Sequence, residues 1–365
     1  MDQSKGTQKN RSTINKLKKF YRNNILVQKL AKEEEVKILP RLKSINGGYN
    51  GSEEEYKRVV LKYWSQYGMR PHKCWYDLFC AGKDAYDPRY IPNHIWLYYV
   101  IEHFNRLDLR FAYADKGMYS RFLPGIKKTE TVVKNIAGLY YNGDRDELIT
   151  REEAKELILR EEHLIIKPSL DSYGGHGIVF YDRDKGETFD IDRVLDGFKN
   201  GFVAQRLLKQ HPDLARINPE SVNSIRVISF RFQGKIYILS ALLRMGASGA
   251  RVDNTTSGGC ACPIKPDGWL VEKAVNRKSE WTDKHESSGI LYKDIRVPNF
   301  ECVVESAKKI HGLMPNFNII GWDFSVDESG EPVLIEYNLM PEQNQISCGP
   351  TFGDMTDAVL DEVFC

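Results

Sequence analysis

Residues 318–326 (NIIGWDFSV) and 331–338 (EPVLIEYN) read as two strands joined by a turn, and the reading of this hairpin decides the fold. With Ser329-Gly330 as a two-residue loop, Glu328 pairs with Glu331, and the register carries Asp323 directly opposite Glu336. Period-two alternation then places Asp323, Glu336 and Asn338 on one face. Ile320, Trp322, Phe324, Val326, Val333, Ile335 and Tyr337 fall on the other, which is core. The polar face gathers hard oxygen atoms on rigid strands, as sites that hold Mg²⁺ with substrate phosphates do. From the hairpin alone, a solvated face with ordinary surface carboxylates is an equal alternative.

The upstream sequence weighs against that alternative. Residues 163–168 (HLIIKP) read as a buried strand ending in a lysine, and residues 177–181 (GIVFY) as the next strand. Between them runs SLDSYGGH, residues 169–176, where glycines leave backbone N–H groups uncovered for phosphate oxygens, with Lys167 as a point charge beside them. No Gly-Lys-Ser/Thr opens a helix here, so the segment is a flap between antiparallel strands and not a Walker loop. Lys116 follows an apolar segment in YADKGMYSRF (113–122). Residues 202–208 (FVAQRLL) form a strand suited to joining two lobes, with backbone groups that would read an adenine edge. Arg226 in SVNSIRVISF and Arg244 in the run ILSALLR lie in strongly apolar surroundings, with Arg251, Asp253 and Asn254 just beyond. An arginine there requires a carboxylate or phosphate partner, because an unmatched buried charge is expensive.

Taken in order, KPSLDSYGGHGI, SVNSIRV, RVDNTTSGG and GWDFSVDESGEPVLIEYN resemble the ATP-grasp superfamily, in particular the sugar-transfer-associated group, which is similar to the teichuronopeptide-synthesis type. The resemblance runs from about Phe111 to the C-terminus. It implies an α+β fold of two lobes clasping ATP. Lys116 and Lys167 would contact the phosphates, under a flap that includes Ser172, Gly174, Gly175 and Gly177. The linking strand, with Gln205 and Leu207, would read adenine; Gln205 stands where many relatives carry glutamate. Asp213 is the candidate for the ribose hydroxyls. Asp323, Glu336 and Asn338 would hold Mg²⁺, two ions in all, and Arg226, Arg244 and Arg251 would grip a carboxylate and the transferred phosphoryl group. The implied activity is an ATP-dependent carboxylate–amine ligase working through an acyl phosphate, on small-molecule or glycan-linked substrates of polysaccharide assembly. A phosphotransferase acting on a hydroxyl and a nucleotide-binding protein without turnover are the alternatives.

A chain of 365 residues exceeds what one core usually serves. The expected divisions are a basic tail and helical region over 1–110, a small lobe over 111–200 and a large lobe over 201–365. Within the small lobe, Thr150 and Glu153 mark the capped start of a helix. A net charge of +2 argues against a nucleic-acid partner. Seven cysteines in no zinc spacing point to reduced cytoplasmic thiols. The basic residues 1–24 are expected to be a solvated tail, with weak association with the inner face of a membrane as the lesser alternative. His176 and His311 are read as ordinary or satisfied histidines, and the aromatic run around Trp96, Tyr98, Tyr99 and Phe104 as helix packing.

Overall fold

The computed structural model describes residues 27–45, 48–143, 145–170, 175–185, 189–198, 201–253 and 258–365. Ser172, Gly174 and Asn254 lie outside the described residues, as does the tail expected over residues 1–24. The chain divides into two units, Met1–His103 with Glu342–Cys365, and Phe104–Pro341.

The first unit is helical, with Val27–Ser44 and Lys73–Phe79 as its longer uninterrupted described segments before residue 104. Trp64, Tyr76, Tyr90 and Trp96 are fully buried in it. The sequence reading ran the large lobe to Cys365. The structure instead joins the last 24 residues to this unit through polar contacts: Tyr63 and Tyr67 donate to Asp357 and Asp361 at 2.5 and 3.2 Å, and the Gln345 amide bonds both backbone groups of Ile91.

In the second unit a six-stranded antiparallel sheet forms the small lobe. Its strands are β1 (Thr131–Ile136), β2 (Leu139–Asn142), β3 (Leu148–Ile149), β4 (His163–Pro168), β5 (Val179–Asp182) and β6 (Phe202–Arg206), in the order β3-β2-β1-β6-β4-β5. The helix Arg151–Arg160 starts with the expected capping box of Thr150 and Glu153 and buries Ala154 and Ile158 in one core with Leu164, Ile166 and Phe202. The large lobe is a seven-stranded sheet of β7 (Ser224–Phe232), β8 (Lys235–Met245), β9 (Cys260–Pro263), β10 (Ala274–Asn276), β11 (Trp281–Thr282), β12 (Ile319–Val326) and β13 (Pro332–Asn338), ordered β11-β10-β9-β8-β7-β12-β13. The helix Phe300–His311 buries Phe300, Val303, Ala307 and Ile310, a helical stripe, against this sheet's core. His311 at its end is a satisfied core histidine, with Nδ1 2.7 Å from Ser229 Oγ and Nε2 3.1 Å from the Phe317 carbonyl.

The β12–β13 hairpin pairs Asp323 with Glu336, as its sequence requires, but by another route. The turn closes one step wider, with Asp327 N–H donating to Glu331 O and Gly330 at φ +87°, so Val326 meets Pro332. A bulge at Ile335 restores the register before Asp323 is reached. The bulge also corrects the facing of the near-turn residues. Leu334 takes the place in the main core expected for Val333 and Ile335, and Ile335 lines a cleft instead.

Candidate functional site

Three neighbouring strands of the large lobe build one polar cluster. Asp323 on β12 stands beside Arg226 on β7, and the guanidinium grips both carboxylate oxygens, Nη2 donating to Oδ2 at 2.8 Å and Nε to Oδ1. Arg244 on β8 adds Nη2 at 3.2 Å from Asp323 Oδ2 and donates twice to Ser224 Oγ, at 3.1 and 3.0 Å. The Ser224 hydroxyl in turn donates to Asp253 Oδ2, which lies 3.7 Å from Arg244 Nε. The apolar runs around these arginines thus do hold carboxylate partners, as the cost of an unmatched buried charge demands. Burial works against the charge on Asp323, which is 1% exposed, yet the two guanidiniums hold its carboxyl below the ordinary value. Asp253 goes the other way: burial lifts its carboxyl above the ordinary value despite Arg244.

The small lobe brings its cations to the same place. Lys167 ends β4, 6% exposed, and burial pushes its ammonium down to about 8 while Glu336 pulls it upward. Lys116 sits on a 3₁₀ turn that Asp115 caps by accepting from Gly117 N–H at 2.8 Å, and its backbone N–H donates to the Ser169 carbonyl. Its Nζ lies 3.5 Å from Glu336 Oε2. Two lysines some fifty positions apart therefore converge on the carboxylates of one hairpin.

These groups face a cleft of about 450 Å³. Its lining joins the apolar side chains of Ile165, Ile178, Phe180, Leu207 and Ile335 to the charged ones of Lys167, Arg244, Asp253, Asp323 and Glu336. Gln205 on β6 donates from Nε2 to Thr131 Oγ1 at 3.1 Å, while its Oε1 and the Ser221 hydroxyl, both on the cleft, are buried without a partner among the described residues. A cleft that combines apolar walls, unpaired polar atoms and charge fits a base joined to phosphates. Gly175 lines the cleft at φ +79°, a conformation costly for any side chain.

Of the residues singled out in the sequence, the cleft gathers Lys167, Gly175, Gln205, Leu207, Arg244, Arg251, Asp323 and Glu336, with Lys116 and Arg226 bonded to its carboxylates. Four stand differently. Asn338 is exposed and its Oδ1 accepts from Met340 N–H at 2.9 Å. Asp213 sits on the short helix Pro212–Ala215 and does not line the cleft, because that helix presents Ala215 to it; Glu220 does line it. Gly177 lines a separate hollow beside Asp182 and Phe198. Arg251 reaches the cleft wall but spends its fork on Asp182. The sequence reading passed over Glu220, Asp182 and Phe180, for which no spacing gives a signal; Ser224 was legible only as the residue two before Arg226.

The carboxylates of Asp323 and Glu336, paired across the hairpin, offer hard oxygen atoms and fit Mg²⁺ in kind. Glu336 has its side chain one-third exposed and open to the cleft, whereas both oxygens of Asp323 already meet guanidiniums. Among the described residues no cluster of three or more His, Cys, Asp and Glu ligands forms.

Comparison with curated protein sequences finds no match. Among solved structures the chain is similar to the VanG D-Ala:D-Ser ligase from Enterococcus faecalis, at 13% identity and a TM-score of 0.42 over 68% of this chain and 61% of that one. It is also similar to D-alanyl-alanine synthetase A from Vibrio cholerae, at 13% identity and a TM-score of 0.40 over 69% and 65%. It spans less than two thirds of the length of either ligase. The family model for sugar-transfer associated ATP-grasp proteins matches residues 114–350, from the turn that carries Lys116 through both sheets, and the chain belongs to that family.

Proposed function

We propose that the protein is an ATP-dependent carboxylate–amine ligase that forms an amide through an acyl phosphate, on a uronate or amino acid used in glycan assembly. The observation that carries this reading is the meeting of Lys116 and Lys167 from one side with Arg226, Arg244, Asp323 and Glu336 from the other, at a cleft that joins apolar walls to charge.

In the first step a substrate carboxylate oxygen bonds to the γ-phosphorus as the bond to the β-bridging oxygen breaks, releasing ADP. In the second, an amine nitrogen attacks the acyl carbon, phosphate leaves, and the amine loses a proton. Both steps crowd negative charge, so catalysis is chiefly positioning and electrostatic stabilisation. Lys167 and Lys116 hold phosphate oxygens, and Gly175 admits them close to the backbone. Arg244, kept rigid by Ser224, presents a planar fork to the incoming carboxylate. Asp323 and Glu336, with Asn338 at the strand end, would hold Mg²⁺, two ions in this proposal, and the metal would supply charge neutralisation for the phosphates. Gln205 Oε1 and Ser221 face the base, and Glu220 takes the ribose place expected for Asp213. No helix among the described residues is long and apolar enough to cross a membrane; we place the protein in the cytoplasm, where activated sugars are handled.

The test supplies ATP, Mg²⁺ and hydroxylamine with a panel of uronates and amino acids. A hydroxamate formed only with ATP supports the ligase. ADP release driven by a hydroxyl compound lacking any carboxylate, with a stable phosphate ester as product, refutes it.

A further inference from the structure

Arg251 lies in the loop that leaves β8, among the residues expected to grip substrate anions. The structure gives it other partners. Its Nη1 and Nη2 donate to Asp182 Oδ2 and Oδ1 at 2.7 and 3.2 Å, and its guanidinium carbon stands 3.8 Å from the centre of the Phe180 ring. Both partners belong to β5, the second strand of the small-lobe hairpin whose turn is the glycine loop. The Asp182 side chain is 9% exposed, so the pair is anchored at its carboxylate end, and His163 Nδ1 on neighbouring β4 stands 3.0 Å from Asp182 Oδ1. The guanidinium therefore has two donors committed to one carboxylate and a face committed to an aromatic ring.

The backbone passes between the lobes at residues 127–130 and 206–211. Each passage is pinned to the β12–β13 hairpin by main-chain bonds, Leu334 N–H to Lys127 O at 2.9 Å and Thr129 N–H to Leu334 O at 3.2 Å for the first, and His211 N–H to Val326 O at 2.8 Å for the second. Arg251 belongs to neither passage. Its bridge is a further tie, made by side chains alone, and it ends on the strand that leads out of the glycine loop.

We infer that Arg251 is a positioning residue, a strap from the large lobe that grips β5 through Asp182 and Phe180 and sets where the cleft wall made by Ile178 and Phe180 stands. This rests on the nucleotide-binding reading above. The strap then acts on nucleotide affinity through the position of that wall, and Asp182 matters as much as Arg251. A direct phosphate ligand would instead make Arg251 matter alone.

The experiment is titration calorimetry of Mg–ATP into the full chain for the wild type, Arg251→Asp, Asp182→Arg and the double charge swap, with thermal midpoints measured alongside. Each single variant is expected to bind about tenfold more weakly, with the swap restoring affinity to within about threefold of the wild type. A double variant as weak as Arg251→Asp overturns the strap in favour of a phosphate contact. Lowered midpoints with unchanged affinity in all variants overturn it in favour of a purely stabilising ion pair. A wild type that binds no nucleotide overturns the nucleotide reading itself, which the other two outcomes leave standing. Should the charge reversals fail to fold, Asp182→Asn, Arg251→Gln and their combination give the same cycle, in which a double loss no larger than either single supports the strap and additive losses overturn it.

Discussion

Asp323 and Glu336 face each other across one hairpin, yet their substitutions are expected to separate stability from activity. Asp323 is 1% exposed and meets Arg226 and Arg244, whose side chains are 13% and 17% exposed. Asp323→Ala strands two guanidiniums beside an empty acceptor, and removing one partner of a buried pair costs about 3–5 kcal/mol. That is a large share of the roughly 5–15 kcal/mol that holds a domain folded. Glu336 is one-third exposed, and its ion pair to Lys116 is 3.5 Å long. Glu336→Gln keeps the shape and loses the charge, so the stability change should stay below about 1 kcal/mol, as for a solvent-screened pair. Its effect on phosphoryl transfer should be on the order of 10²–10³-fold, the range for removing one preorganised charge-stabilising group. Urea unfolding followed by tryptophan fluorescence, which reports buried Trp322 next to Asp323, measures the first effect. ADP release under saturating Mg–ATP measures the second. Near-wild-type turnover in Glu336→Gln would refute its role at the phosphates, and an unfolding midpoint for Asp323→Ala within error of wild type would refute the clamp as a structural element.

Three further outcomes follow from the same geometry. Lys167 carries its proton below about 8 and loses it above, so Mg–ATP affinity should fall about tenfold between pH 7 and pH 9; titration calorimetry across that range should show this in the wild type and a flat profile in Lys167→Met. Gly175→Val places a β-branched residue at φ +79°, where strain of about 1–3 kcal/mol is expected, and should lower ADP release at least tenfold while circular dichroism stays unchanged; normal turnover would show that the loop does not approach phosphate. His311, held neutral by burial with its value pushed down from 6.5 to about 4, lets the unfolded chain bind a proton that the folded chain refuses, so stability is lost as pH falls from 6.5 towards 4; His311→Gln should show a shallower acid slope in urea midpoints, and an identical slope would remove His311 as the cause.

What was legible in the sequence and what was not divides by the range over which a signal acts. Strand alternation and hairpin register are local, so the pairing of Asp323 with Glu336 could be read from eighteen residues. Even there the two-residue loop was an error that the bulge at Ile335 offset, and the site stood in register because two departures cancelled. Lys116 and Lys167 were legible as types but not as neighbours, since the tie between them is a main-chain bond from Lys116 to Ser169 that no spacing encodes. The return of residues 342–365 to the N-terminal unit was equally hidden, because Gln345 and Asp357 find partners 254 and 294 positions away.

The reassignment of Arg251 shows how far residue type alone can mislead. An arginine in an apolar run must meet an anion, and that rule held for Arg226 and Arg244, while Arg251, in a polar loop, also meets one. It cannot say whether the anion is a substrate or a side chain. Arg226 and Arg244 meet Asp323 at the cleft floor and remain beside the charged groups proposed for catalysis; Arg251 meets Asp182 on another sheet. The burial argument therefore identifies arginines that are committed, and only tertiary placement separates those committed to chemistry from those committed to holding the lobes that carry it.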